Sequence, residues 1–275
     1  MLYFVGTPIG NLDDMTFRAV ETLKSVDCIA CEDTRHSLAL LNRYGIKKPL
    51  FSFHKFNEKE TGEKIVEKLK NGENIAVISD AGMPVISDPG GFLVKTLIEE
   101  ELEYTVIPGA TAFATALVLS GFSADKCCFL GFLPDTQEKR RAYLEKYKDF
   151  DGTLIFYSAP HDIVKDVGTL FSAFGDRKAC ACKELTKIHE RAIRFNLKDG
   201  FTEEERGEFV LIVEGAKNEN VSAIPAEELL KKYLAEGMGK NDAVKRVAKE
   251  KGASRQEIYK LTIKGRTDEK TETIR

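Results

Sequence analysis

The sequence predicts an α/β protein built from two α/β domains followed by a small helical extension. Three observations carry that expectation. Short apolar runs alternate with amphipathic stretches of helical period through the first 120 residues, the pattern of a largely parallel sheet. A second series of strand-like runs begins near Cys127 and is interleaved less regularly with helices. From residue 226 onward only helical spacing is left. The expected limits are 1–120 and 121–217 for the two α/β domains and 218–275 for the helical extension.

In chain order, Leu2–Val5 reads as the first strand and "MTFRAVETLKSV" as the helix after it. "CIACE" is a second, buried strand, followed by a helical "SLALLNRY" that stops at Gly45. "LFSFH" is the third strand, and "EKETGEKIVEKLKNG" a charged amphipathic helix with Gly72 as its C-terminal stop. "NIAVIS" and "EYTVIPG" are the fourth and fifth strands, each followed by a helix, "FLVKTLIEE" and the small-residue "ATAFATALVLSG". In the second domain "CCFLGFLP", "GTLIFYSAP", "KACACKEL" and "EFVLIVEG" read as strands with antiparallel pairing, alongside helical "TQEKRRAYLEKYKD" and "HDIVKDVGTLFSAFG". A polar connection, "AKNENVSAIP", leads to three short helices. The last of them opens with Ser254 and Glu257 at capping-box spacing. The turn "GAS" between two of these helices suggests a helix-turn-helix.

The 275 residues are 43% hydrophobic and 31% charged, as expected of a globular chain with real cores. No basic, apolar leader opens the sequence and no run of about 18 apolar residues occurs, so the expectation is a cytoplasmic protein without a membrane partner. The six cysteines fall in pairs, Cys28/Cys31, Cys127/Cys128 and Cys180/Cys182. They sit in strand patterns without the tight turns of a zinc knuckle, so they read as small hydrophobes and no metal is expected. Charge is unevenly spread: residues 226–275 carry thirteen Lys and Arg against nine Asp and Glu, while the rest of the chain is net negative. A basic tail on an acidic body suggests contact with a polyanion.

Ligands of parallel sheets bind beyond the carboxyl ends of the strands. Here those ends read "GTPIGN", "EDTR", "FHKFNE", "SDAGMPVISDPGG" and "PGATA", five corners rich in Gly, Pro and polar residues. The first of them lacks the Gly-Lys-Ser/Thr of a phosphate loop and the G-x-G-x-x-G of a dinucleotide fold, and its proline removes a backbone donor. The corner is shaped for a ligand other than a phosphate.

Taken together, "GTPIGNL", "CEDTR", "SDAGMPVISDPG", "VIPGATA", "GFLP", "KELTK" and "GEFVLIVEG" resemble the tetrapyrrole methylase superfamily. Within it they resemble the branch of small-subunit ribosomal RNA (cytidine-2'-O)-methyltransferases, in register over the whole chain. The resemblance implies S-adenosylmethionine as methyl donor, held in a cleft between the two α/β domains, a homodimer, and ribosomal RNA or the assembled small subunit as partner. It places Pro8 in the first loop of the donor pocket, Ser79, Asp80, Ala81 and Gly82 in the second, and Thr111 and Ala112 in the third. Ser158 and Leu185 fall where the second domain touches the adenosine. Two departures stand out: "FYSAPHD" has Ser158 and Asp162 where the branch commonly has Glu and Arg, and Thr136 stands where a Lys is frequent.

Methyl transfer to a ribose hydroxyl needs alignment, and a positioned base adds about 10²–10⁴-fold. Glu32, Asp33, His54 and Glu184 are the candidate bases at strand ends. The catalytic assignment is placed on Asp33, Arg35 and His54. Asp33 is to accept or direct the hydroxyl proton, Arg35 to grip an RNA phosphate, and His54 is an alternative base with a better-matched pKa. A competing expectation is that Asp33 only caps the next helix and pairs with Arg35. Arg140, Arg141 and Lys187 are the expected RNA contacts outside the tail. The other functional readings are a methylase of a tetrapyrrole or other small substrate, and a non-catalytic RNA-binding assembly factor on the same fold.

Overall fold

The computed structural model describes residues 1–204, 206–216 and 225–268. They form two compact units, the first ending at Ala216. The first unit contains two five-stranded sheets.

The first sheet is made of β1 (Leu2–Val5), β2 (Cys28–Cys31), β3 (Leu50–Ser52), β4 (Ile75–Ile78) and β5 (Tyr104–Ile107), in the order β3-β2-β4-β1-β5. Every pairing in it is parallel. Side chains alternate between faces along a strand, and both faces are covered. Phe4, Ala30 and Val77 meet Ile65 and Leu69 of α3 (Glu58–Lys70) and Leu93 and Leu97 of α4 (Gly91–Glu99). Val5, Ile29 and Ile78 meet Ala19 and Leu23 of α1 (Phe17–Ser25) and Leu41 of α2 (Thr34–Arg43). Two-sided burial explains why the β2 and β4 segments are continuous apolar runs. It also separates the Cys28/Cys31 pair: three residues apart on a strand, the two thiols enter opposite cores. All six cysteines are free thiols.

The second sheet has β6 (Cys127–Phe132), β7 (Thr153–Ser158), β8 (Lys178–Lys183), β9 (Arg191–Asn196) and β10 (Phe209–Val213), in the order β6-β7-β10-β8-β9. Only β6 and β7 run parallel; the other neighbours are antiparallel. One face packs under α6 (Gln137–Glu145) and α7 (Ile163–Phe174). The opposite face is covered by α5 (Ala112–Ser120), whose Ala116 and Leu117 sit among Ile155, Cys180, Cys182 and Ile212. The small-residue helix therefore follows the first sheet in the chain and closes the core of the second.

Arg140 departs from its expected role. Its guanidinium is 4% exposed and bonds Asp166 Oδ1 at 2.7 Å and the Pro134 carbonyl at 2.6 Å. Asp166 Oδ2 in turn accepts from Ser158 Oγ at 2.6 Å. This buried triad ties α6 to α7 and to the end of β7, so Arg140 has no face left for an RNA phosphate. Thr136, at the departure from the family pattern, caps α6 by accepting from the Lys139 N–H.

The second unit contains α8 (Ala226–Ala235), α9 (Lys240–Lys251) and α10 (Arg255–Asp268). They share a small core of Leu229, Leu230, Tyr233, Val244, Val247 and Ile258. Helix α9 ends on Gly252 in the left-handed region (φ +61°), and Ser254 starts the next helix. The Ser254 hydroxyl accepts from the Glu257 N–H, and Glu257 Oε2 accepts from the Ser254 N–H at 2.9 Å, a complete capping box. Among the described residues no helix is long and apolar enough to cross a membrane.

Candidate active site

The corners at the strand ends are laced together. The Thr7 N–H donates to the Gly82 carbonyl at 2.8 Å and the Gly82 N–H returns to the Thr7 carbonyl at 3.2 Å. Ser79 is 5% exposed and its hydroxyl closes the second loop on the Gly82 carbonyl. Backbone meets backbone where Gly6 and Gly109 face each other: a Cβ on Gly6 would lie 2.8 Å from Gly109. Only glycine permits that approach.

Beyond these corners lies a cavity of about 370 Å³. Six of the nine residues expected to hold a donor line it: Ala81, Gly82, Thr111, Ala112, Ser158 and Leu185. Pro8, Ser79 and Asp80 are not among the residues that line it. Pro8 is buried in the first loop, Ser79 braces the second, and Asp80 Oδ1 accepts from the Asp33 N–H at 3.2 Å. A larger hollow, about 690 Å³, lies at the opposite strand ends of the second sheet beside Lys126, Lys178 and Arg194, and none of the expected site residues lines it.

Backbone strain converges on the smaller cavity. Five described non-glycine residues have positive φ, and four of them flank its wall: Val85 (+74°), Ser87 (+68°), Glu184 (+49°) and Thr186 (+64°). The first two bracket Ile86, and Ser87 precedes Asp88; the second two bracket Leu185. Such conformations cost about 1–3 kcal/mol each and cluster where a structure must aim particular side chains. A β-branched valine at φ +74° is an especially poor fit to its backbone.

The electrostatics are one-sided. Among the described residues, Asp88 and Glu208 are the charged ones lining the cavity, and no Lys or Arg lines it. Burial and the neighbouring charges of Glu32 and Asp80 push the Asp88 carboxyl up to about 6. Burial likewise raises Glu32, with Asp80 adding to it and His54 opposing. A site that holds carboxylates at such a cost is complementary to a cation.

The "EDTR" corner resolves toward its simpler reading. Asp33 is the N-cap of α2, accepting from the Arg35 N–H at 2.8 Å, and it pairs with the Arg35 guanidinium at 3.1 Å. Those bonds hold its carboxyl below the usual range, which weakens it as a base. Arg35 itself is 90% exposed and open to solvent. His54 has its backbone N–H on Asn57 Oδ1, and its ring Nδ1 is buried without a hydrogen-bond partner. Lys187 sits between Glu184 (3.1 Å) and Glu208 (3.0 Å), while Arg141 is exposed on α6.

The first 200 residues match the family described as Tetrapyrrole (Corrin/Porphyrin) Methylases. The chain belongs to that family. Across its length it is 42% identical to "Ribosomal RNA small subunit methyltransferase I" of Bacillus subtilis (strain 168), over 94% of this chain and 92% of the relative. It is 43% identical to the protein of the same name from Haemophilus influenzae, over 96% of both chains. Among solved structures it resembles diphthine synthase, with a TM-score of 0.61 at 12% identity over 78% of this chain and 89% of that one, a likeness of fold.

Methylases of this family draw on S-adenosylmethionine, and the cavity suits that co-substrate. Its volume is in the range of small-molecule sites. Ile9, Leu185, Phe209 and Val210 supply apolar wall for an adenosine, and Asp88 matches a molecule bearing a sulfonium and an ammonium, Glu208 being engaged by Lys187. Gly82, at φ +82° with Ile9 Cγ2 3.2 Å from where a Cβ would stand, leaves the cradle open. The sequence reading missed Asp88 and Glu208, because nothing in their spacing distinguishes a cavity acid from a loop acid.

Proposed function

We propose that this protein transfers a methyl group from S-adenosylmethionine to the 2'-hydroxyl of a cytidine in small-subunit ribosomal RNA. The observation that carries the proposal is the acid-lined cavity between strained loops at the strand ends. The full-length relatives named for ribosomal RNA support an RNA acceptor over the tetrapyrrole or other small acceptor this fold also serves. The donor supplies an electrophilic methyl carbon; the chain's residues bind, orient and exclude water. Pro8, Ser79 and Asp80 shape the loops that Ala81, Gly82, Thr111, Ala112, Ser158 and Leu185 complete around it. Arg35 takes an RNA phosphate, with Asp33 fixing its direction and His54 near Glu32 at the adjoining corner. Arg141 and Lys187 extend the RNA contact; a phosphate at Lys187 replaces one of its two carboxylates.

The protein works in the cytoplasm as a homodimer on ribosomal RNA or the assembled subunit. Self-association is supported by apolar side chains left open, Val118 at 81% exposure on α5 and Val106 at 46% on the edge strand β5. The helical unit docks RNA. Lys245, Arg255 and Lys260 are exposed around a hollow of about 570 Å³ formed by α9 and α10, with Tyr259 in its wall.

Each phosphate contact contributes about −0.7 to −0.9 to the slope of log affinity against log salt. Changing Lys245, Arg255 and Lys260 together to Gln should flatten that slope by about 2 to 3, with S-adenosylmethionine affinity unchanged. Filter binding across a salt series measures it, and an unaltered slope would remove the helical unit from the RNA interface.

A further inference from the structure

The corner after β3, "FHKFNEK", treats its two phenylalanines in opposite ways. Phe53 is 2% exposed in the core of the first sheet, whereas Phe56, three residues on, is 96% exposed. Single exposed apolar side chains are ordinary on a protein surface. Phe56 differs in how it is held and in where it stands. Asn57 braces the corner: its Oδ1 accepts from the His54 N–H at 2.8 Å and its Nδ2 donates to the Ser52 carbonyl at 3.0 Å. The Asn57 N–H also donates to the His54 carbonyl at 3.0 Å. The His54 ring meets the Phe56 ring edge to face, with centroids 6.1 Å apart. Glu58 Oε1 accepts from the N–H groups of Gly90 (2.9 Å) and Phe92 (3.0 Å). Those bonds tie the corner to the end of the loop whose Ile86, Ser87 and Asp88 line the donor cavity. In the parallel sheet β3 is two strands from β4, whose following loop brings Gly82 to that cavity. At about 4.8 Å per strand, the Phe56 corner stands about 10 Å along the same sheet edge. A few nucleotides of single strand span that distance. Beside the ring opens a hollow of about 480 Å³ with exposed Lys55 and Lys59 in its wall. Of the acids there, Glu58 is engaged by the backbone groups just named and Glu60 by Lys64 at 2.7 Å.

We propose that Phe56 is a stacking platform for an unpaired base of the RNA substrate, a base flanking the cytidine that is methylated. Lys55 and Lys59 take the phosphates beside it. The inference rests on the RNA-acceptor reading above. Single-stranded RNA is held by splaying its bases onto aromatic faces, with cations tracking the backbone between them. A nucleotide drawn toward the donor is parted from its neighbour, and the exposed ring offers that neighbour a new face. Phenylalanine has no donor or acceptor at its tip. It therefore fixes the path of the strand without reading which base is stacked.

The chain contains no tryptophan, so Phe56→Trp puts a single indole reporter at the corner. Its fluorescence should be quenched by a single-stranded fragment of small-subunit ribosomal RNA carrying the target cytidine, and not by S-adenosylmethionine alone. Phe56→Ala should weaken binding of that fragment about 5- to 150-fold, the loss of one base–aromatic stack, with donor affinity by calorimetry within about twofold. The slope of log affinity against log salt should stay as in wild type, because no charge is removed. Lys55→Gln and Lys59→Gln should instead each flatten it by about 0.7. An abasic residue at one position flanking the cytidine should weaken wild-type binding by a similar factor and cost Phe56→Ala nothing more. Undiminished affinity in Phe56→Ala, or abasic effects that add fully to it at every flanking position, would overturn the proposal. So would a Phe56→Leu protein that binds the fragment as wild type does, since that would make the side chain an apolar contact for a protein neighbour. If wild type itself binds no ribosomal RNA, the acceptor reading fails first; if it binds RNA and Phe56→Ala binds equally, only the stacking platform fails.

Discussion

Gly82→Val should abolish S-adenosylmethionine binding while the chain still folds. Gly82 occupies φ +82°, where a β-branched residue is strained, and its N–H and C=O are both bonded to Thr7. The conformation is thus fixed by the neighbouring loop and cannot relax freely. The new Cβ would stand 3.2 Å from Ile9 Cγ2, and Ile9 is itself a cavity wall. Either the added methyl groups enter the cavity or Ile9 is driven into it. A loss of at least about 100-fold in affinity is expected, near 3 kcal/mol. Gly45→Val is the matched control: it carries the same strain at φ +66° with open space around it, so it should lose some stability and bind donor normally. Calorimetry on both variants decides the point, and undiminished affinity in Gly82→Val would place the donor elsewhere.

The largest effect on stability is expected at Arg140. Arg140→Ala leaves the Asp166 carboxylate about 5% exposed without its cation, a change that costs about 3–5 kcal/mol. Against a typical total of about 5–15 kcal/mol that is a severe loss. It should appear in urea denaturation as a lower midpoint, and replacing the pair together by Arg140→Met and Asp166→Leu should recover most of it. The neighbouring Arg141→Ala, on the exposed side of α6, should stay within about 0.5 kcal/mol. A cost below 1 kcal/mol for Arg140→Ala would contradict the structural role given to the triad.

The contrast between Arg140 and Arg141 shows where reading the sequence stops. "KRRAYLEK" presents both as cations on an amphipathic helix, and their partners lie far along the chain. Asp166 is 26 residues away, so no local pattern distinguishes the buried arginine from the exposed one. The parallel sheet was legible because its signal is local, as in the two-sided apolar runs of β2 and β4. The packing of α5 on the second sheet was not, since its uniformly small apolar residues do not say which sheet they face. The glycine corners were legible too, because close backbone approach demands glycine, as at Gly6 and Gly109. Asp33 was half legible: its spacing from Arg35 fits a substrate clamp and a helix cap equally, and the hydrogen bonds to the Arg35 backbone and guanidinium choose the cap. Asp88 was hidden because its chemistry comes from burial and from Glu32 and Asp80, which only the fold brings near.

Methyl transfer to a ribose of small-subunit ribosomal RNA is tested most simply by following the methyl group itself. The purified full-length protein is incubated with S-adenosylmethionine bearing an isotopically labelled methyl group and with small-subunit ribosomal RNA, free or in the assembled subunit. The RNA is then digested to nucleosides and the label located by mass spectrometry. The proposed function predicts labelled 2'-O-methylcytidine, absent when the Gly82→Val protein is used. Label on a base, or RNA that stays unlabelled in both forms while the protein binds the donor, would contradict it.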